Sequence, residues 1–405
     1  MKKETTRKPN CFFLIALIII ISGCAEKSNT SKYLGKVLKN LEKIESATYY
    51  STKEAYAPGD TIPNVRMIHF VKAYDNPIDT TIGASYVNLL PEDTTQLISL
   101  YDGKMLESIY REDNEIVIDY FDTRKLPFRP LPPPFFNHVE SIIRYAMETN
   151  DSISIKIEES TESVYFCVTI FEDQQVEFFG KAYHLEIPPF EIDPTSKFEI
   201  WIDKSTDLPY MVRRVMDHQT STESVADVSL NRQKIEDLDI SNYEVPDFPI
   251  HVVGSKKSNP AKVNDLVSMV APDWILQDAV ANNVGLNDLK SKVIMIQFTS
   301  VTCGPCHASI PFLNQLTSDY NKEDLEFVAI ECTANSLDAL KRYQDKNSIS
   351  YRLLFSTEDV RKDYSISSYP VFFILDENRI VKDVITGYGE GKTDDIIKSA
   401  INELI

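Results

Sequence analysis

An apolar strand that runs into a closely spaced cysteine pair constrains this chain more than any other feature. Val293 to Phe298 is almost continuously apolar, as expected of a strand at the centre of a sheet covered on both faces. A short turn later comes Cys303-Gly304-Pro305-Cys306, with Cys306 at the start of a helix that the pattern extends over Ala308 to Tyr320. That layout aims free backbone N–H groups and the positive helix end at the first sulfur and stabilises its thiolate. Lowering a thiol pKa from about 8.5 to about 7 raises the thiolate fraction at neutral pH from roughly 3% to about half. Cys303 is therefore the expected nucleophile. Cys306, a turn into the helix and more buried, would resolve the mixed disulfide.

The pattern around the pair alternates strand and helix, the signature of an α/β layer. Strands are predicted over Leu325 to Glu331, Val371 to Leu375 and Ile380 to Thr386, and helices over Leu337 to Asp345 and Thr393 to Leu404. The first 250 residues read differently. Tyr33 to Glu45 places Leu34, Val37, Leu38, Leu41 and Ile44 at helical spacing. Strand-like segments follow at Val65 to Tyr74, Ile98 to Tyr101, Ile116 to Phe121, Val164 to Phe171, Phe198 to Ile202 and Tyr210 to Met216, with Asp102-Gly103 marking a tight turn. Pro127 to Pro134 cannot join a ladder. A second helix should carry Val139, Ile142, Ile143, Ala146 and Met147 on one face. The expected fold class is thus multidomain α+β: an N-terminal antiparallel β half-barrel with helices, then an α/β domain. The division predicted is 33–250 and 264–405, joined by a linker over 251–263.

Ala271-Pro272-Asp273-Trp274, Val293 to Cys306, and Ser368-Tyr369-Pro370-Val371-Phe372-Phe373-Ile374-Leu375-Asp376 together resemble the TlpA/ResA branch of exported thioredoxin-like thiol–disulfide oxidoreductases. The likeness covers roughly residues 264–405. It implies a cis peptide before Pro370, Pro370 beside the disulfide, and the Tyr369 backbone ready to hold a substrate strand. Three positions depart from the family. Thr302 replaces a Trp, Gln297 replaces an interior Asp or Asn, and Ser309 replaces a Glu. With no acid at either of the last two places, water or Glu331 is left as proton acceptor for Cys306, although a strand-end Glu is usually solvated. The N-terminal stretch resembles the lipoprotein-sorting carrier (LolA-like) fold, through its opening helix, Phe198 to Asp203 with Leu208-Pro209, and the closing Tyr243-Glu244-Val245-Pro246. That family binds acyl chains or lipoproteins inside the barrel; a spacer or docking module is the plainer alternative.

Lys2, Lys3, Arg7 and Lys8 precede a short apolar run, Cys11 to Ile21, well below the roughly 20 residues of a spanning helix. The run ends Ile21-Ser22-Gly23-Cys24, which resembles a bacterial lipobox. Residues 1–23 are read as a lipoprotein signal peptide, Cys24 as the lipidated residue, and 24–32 as a polar tether. The chain should then sit outside the cytoplasm, anchored to a bacterial membrane, most simply on its periplasmic side. Net charge is −19 over 405 residues, and the basic leader leaves the remainder more acidic still, which excludes nucleic-acid binding.

Of six cysteines, Cys167, Cys303, Cys306 and Cys332 remain free after processing. Export puts them where disulfides persist. Cys167 and Cys332 lie on or just after apolar strands and read as buried, inert thiols. A structural zinc site would need four ligands, and His307 reads as an exposed first-turn residue, so no metal and no cofactor are expected. A peroxidase needs a Pro and a Thr where Ile296 and Ser300 stand. The function expected is a lipid-anchored thiol–disulfide oxidoreductase, leaning towards a reductase by its Gly-Pro dipeptide. It would take protein thiols or disulfides as substrates and a membrane electron donor. The alternative is a lipid- or lipoprotein-binding carrier whose second domain serves for docking.

Overall fold

A computed structural model describes residues 30–111, 114–122, 131–185, 193–254 and 263–405. The signal segment, Cys11, Cys24, most of the 251–263 linker and part of the Pro127–Pro134 loop lie outside the described residues.

The first helix, α1, spans residues 30–41. Six strands follow in antiparallel succession: β1 (Ser46–Tyr56), β2 (Val65–Asp75), β3 (Ala84–Leu89), β4 (Leu97–Tyr101), β5 (Leu106–Tyr110) and β6 (Glu115–Asp119). Helix α2 (Phe135–Glu148) separates them from β7 (Ile153–Glu159), β8 (Ser163–Ile170), the small hairpin β9 (Gln175–Phe178) and β10 (Ala182–Leu185), then β11 (Ser196–Asp203), β12 (Leu208–Val215), β13 (Thr220–Leu230) and β14 (Ile250–Val252). All but β9 and β10 form one open sheet, in the order β14-β6-β5-β4-β3-β2-β1-β13-β12-β11-β8-β7. Its pairs are antiparallel except β14 on β6.

The sheet closes its core with both helices. Leu34, Val37, Leu38 and Leu41 of α1 and Phe135, Val139, Ile142, Ile143 and Ala146 of α2 pack with Tyr49, Val71, Phe166, Phe198, Ile200 and Ile202. Proline at position 134 leads into α2, and the first helical N–H, that of Phe135, donates to the buried Tyr49 hydroxyl at 3.0 Å. Met147, expected on the buried face, is 36% exposed: it lies two helical turns beyond Val139, where the apolar stripe drifts away from the sheet.

The C-terminal domain adds β15 (Ile275–Asp278), β16 (Asn283–Gly285), β17 (Val293–Thr299), α3 (Gly304–Ala308), α4 (Ile310–Asp319), β18 (Leu325–Glu331), α5 (Leu337–Lys346), β19 (Arg352–Phe355), α6 (Glu358–Asp363), β20 (Val371–Leu375), β21 (Val381–Thr386) and α7 (Lys392–Asn402). Sheet order is β16-β15-β19-β18-β17-β20-β21, with β19, β18 and β17 parallel and β20 antiparallel to β17. The alternating residues of β17 divide two cores. Met295 faces Leu313, Leu340 and Ile397, from α4, α5 and α7; Ile294, Ile296 and Phe298 face Trp274, Val360 and Tyr364 on the other side. The helix expected from Ala308 to Tyr320 is α4, and Ser309 separates it from α3, which carries Cys306. Pro311 has no N–H to continue the ladder from α3, so it sits in the first turn of a new helix.

Candidate redox site

All seven residues of β17 are buried, as are Ser300 and Val301 after it, so the chain first reaches partial exposure at Thr302 and Cys303. The turn Ser300-Val301-Thr302 is closed by the Cys303 N–H on the Ser300 carbonyl at 3.1 Å. Cys303 then caps α3, with Pro305 in the first turn, where a missing N–H costs nothing. Cys303 and Cys306 form a disulfide. The Cys306 N–H points at the Cys303 sulfur, 3.2 Å away, a donor that would favour a thiolate there. Cys306 is 2% exposed and Cys303 half-buried, so Cys303 is the more accessible sulfur.

The Tyr369–Pro370 peptide is cis, as the resemblance implies. Pro370 is buried and its carbonyl accepts from the Gly387 N–H at 2.8 Å, fixing the loop ahead of β20. The Tyr369 side chain turns inward, where burial, and next the Cys332 thiol, push its hydroxyl pKa up, while Arg361 opposes them. Burial and neighbouring Glu331 push Cys332 itself up to about 12, so it stays protonated. Cys167 is buried on β8.

Gln297 and Ser309 stand at the two positions that lack an acid, and they bond to each other. Gln297 Nε2 donates to Ser309 Oγ at 3.1 Å, and Ser309 Oγ donates to the Cys306 carbonyl at 2.7 Å. Both are buried, so a neutral amide–hydroxyl pair fills the interior behind Cys306. Ser309 is thus no helix-surface residue.

Glu331 differs from its expectation too. At 1% exposure it is not a solvated strand end. Its carboxylate accepts from the backbone N–H groups of Val301 (2.9 Å), Thr333 (3.0 Å) and Ala334, and from Thr333 Oγ1 at 2.8 Å. Thr333 Oγ1 lies 2.8 Å from Ser300 Oγ, which lies 3.2 Å from Thr302 Oγ1. Glu331 therefore ties the end of β18 to the turn that carries Cys303. Burial raises its pKa, against those hydrogen bonds. His307 is half-buried and turned towards Asp217 of the N-terminal domain, not exposed. No pattern in the sequence signals the Glu331 or His307 contacts, because both join segments far apart in the chain.

Fold and disulfide together define the class: the C-terminal domain is a thioredoxin-like thiol–disulfide oxidoreductase domain with a C-x-x-C pair at Cys303 and Cys306. Residues 267–384 match the AhpC/TSA family. Among curated proteins, the chain is similar to the thiol-disulfide oxidoreductase ResA of Geobacillus kaustophilus, 27% identical over 30% of this chain and 70% of that protein. It is 28% identical to the thioredoxin-like protein YneN of Bacillus subtilis, over 29% of this chain and 69% of that one. A thioredoxin-family thiol:disulfide interchange protein of known structure from Chlorobium tepidum aligns with a TM-score of 0.30 and 24% identity, over 32% of this chain and 94% of that chain. These likenesses fall on the C-terminal domain.

Proposed function

We propose that the protein reduces disulfides in protein substrates outside the cytoplasm, held to a bacterial membrane by a lipid on Cys24. The observation that carries the redox reading is the disulfide between half-buried Cys303 and buried Cys306 at the end of a fully buried central strand. The Cys303 thiolate attacks one sulfur of the substrate disulfide, and the other leaves as a thiolate that takes up a proton. Cys306, losing its proton, then attacks the Cys303 sulfur, which releases the second substrate thiol and leaves Cys303–Cys306 oxidised. Two electrons have passed to the substrate, so a dithiol donor, on this reading membrane-bound, must restore the pair. Tyr369, before the cis proline, presents its backbone to the substrate chain.

The anchor reading rests on the leader and the Ile21-Ser22-Gly23-Cys24 run; no helix among the described residues is long and apolar enough to cross a membrane. On this reading the chain divides into an anchored β domain over 33–250 and the redox domain over 264–405. Reduction of a small aromatic disulfide followed by absorbance tests the activity, which should vanish in Cys303→Ser. Activity retained by that variant would refute it.

One observation favours a second reading, in which the N-terminal domain is a LolA-like carrier. A cavity of about 310 Å³ opens between β1, β2, β12, β13 and the β9 hairpin, lined by Met67, Phe178, Phe198 and Val212. Arg214 and Glu177 close one side as a bidentate pair at 2.9 and 2.7 Å. A carrier would retain a bound acyl chain through purification, detectable by native mass spectrometry.

A further inference from the structure

The reactive pair is bordered by more than its own domain. The β1–β2 connection and the β12–β13 turn project from one end of the N-terminal sheet, because Tyr56 at the end of β1 pairs with Thr220 at the start of β13. Both reach the redox domain. From the first, Ala57 is 3% exposed and packs into the core shared by α4, α5 and α7. Beside it Asp60 accepts from Arg342 Nε at 2.8 Å, and the Pro63 carbonyl accepts from Asn335 Nδ2 at 2.8 Å. From the second, Asp217 Oδ2 stands 3.7 Å from Nε2 of His307, the residue directly after Cys306. His218 lies near enough for a charge on either imidazole to be felt by the other. Nδ1 of His307 and Nδ1 of His218 are both buried without a hydrogen-bond partner.

We infer that Asp217 is a positioning residue of the redox site, supplied by the other domain, whose carboxylate faces the His307 ring and favours its charged form beside the cysteine pair. This rests on the reading of Cys303 as the nucleophile. His307 shares the first turn of α3 with both sulfurs, its backbone N–H bonding the Cys303 carbonyl at 3.0 Å. An imidazolium there favours the Cys303 thiolate, and a neutral ring does not. Three charged or titratable groups face the ring. Burial is the largest influence and holds the His307 pKa below its ordinary value; Asp217 from the β12–β13 turn favours the imidazolium against it, while Lys346 from α5 opposes it, as does His218 when protonated. The only favourable charge of these comes across the domain seam. The N-terminal domain is therefore a working part of the reductase, and thiol reactivity depends on the two domains being docked.

The test is the rate of Cys303 alkylation by iodoacetamide between pH 5 and 9, on the reduced full-length protein. An exposed ion pair carries about 0.2–1 kcal/mol, so Asp217→Asn should slow labelling at the acid end of the range, where the ring is charged, by up to about fivefold and move the profile to higher pH. Above pH 9 the two rates should converge. In a His307→Asn background the same Asp217→Asn change should have no effect, a loss of coupling that a merely structural seam contact would not produce. Superimposable profiles for wild type and Asp217→Asn would overturn the inference. So would an undiminished Asp217→Asn effect in the His307→Asn background. Slow labelling of Cys303 in the wild type at every pH would overturn the nucleophile assignment itself, and the inference with it. Asp217 is 57% exposed, so the variant should fold; melting temperature checks this.

Discussion

Ser309 has no exposure to water, and that alters what an acid would do at its position. A glutamate there would break the Gln297–Ser309 hydrogen bond and place a carboxyl group in the interior behind Cys306. Burial would raise its pKa towards neutrality, the useful range for a base that takes the Cys306 proton. Ser309→Glu should therefore speed mixed-disulfide resolution above pH 7 and cost about 1–3 kcal/mol of stability through overpacking and desolvation. Pre-steady-state disulfide reduction across pH 6–8, with thermal melts alongside, checks both effects. Equal rates throughout would mean that water already serves. The two sulfurs are unequal at the same scale. Brief iodoacetamide treatment of the reduced protein at pH 7 should modify Cys303 and spare Cys306, whose side chain is 2% exposed; mass spectrometry reads the site, and preferential labelling of Cys306 would reverse the roles.

At the scale of elements, the cysteine turn is held from the side. β17 points the chain out of the sheet, but β18 fixes where it goes, through the Glu331 carboxylate on the Val301 N–H. Removing the carboxylate leaves the buried Val301 N–H and the half-buried Thr333 and Ala334 N–H groups without this acceptor, each costing about 1–3 kcal/mol when unmet, while the Thr333 hydroxyl keeps its Ser300 partner. Partial hydration and relaxation reduce the sum, so Glu331→Ala should destabilise the protein by about 3–5 kcal/mol, as breaking a buried charged network does. Chemical denaturation measures this. A loss below ~1 kcal/mol would show that the turn stands without it. The two-helix form of α3 and α4 belongs to this scale too: Pro311, with no N–H, cannot continue the ladder that began at Cys303, so α3 is a short helix of five residues.

For the whole molecule, the domain seam is where pH should act. Burial, with Arg214 and His307 nearby, lowers His218 from its ordinary value to about 4. The unfolded chain takes up this proton below about pH 6.5, while the folded protein resists until about pH 4. Stability from a neutral His218 is therefore fully present above about pH 6.5 and drains as pH falls towards 4, by up to about 1.4 kcal/mol per pH unit. Melts of wild type and His218→Gln should be compared at pH 7.5 and 4.5. The wild type should lose more stability between them, and parallel losses would remove His218 from the acid response.

The C-x-x-C pair after an apolar strand and the β/α alternation around it were legible in the sequence, because each is local: a spacing or a period fixes the backbone nearby; the cis bond before Pro370 was implied only by the family resemblance. The apolar faces of α1 and α2 were legible for the same reason. The strand β13 was not, since Thr220 to Leu230 is polar along most of its length and lies between β1 and β12 by backbone pairing rather than by an apolar face. Nor was the burial of Ser309 and Glu331, where a polar residue looks the same in sequence whether water or a distant backbone N–H satisfies it. Asp217 and His307 are 90 residues apart and carry no shared pattern. Only the docking of two hairpin ends on α3 and α5 brings them together, because contacts between domains are decided by surface shape and charge in three dimensions and leave no period in the chain.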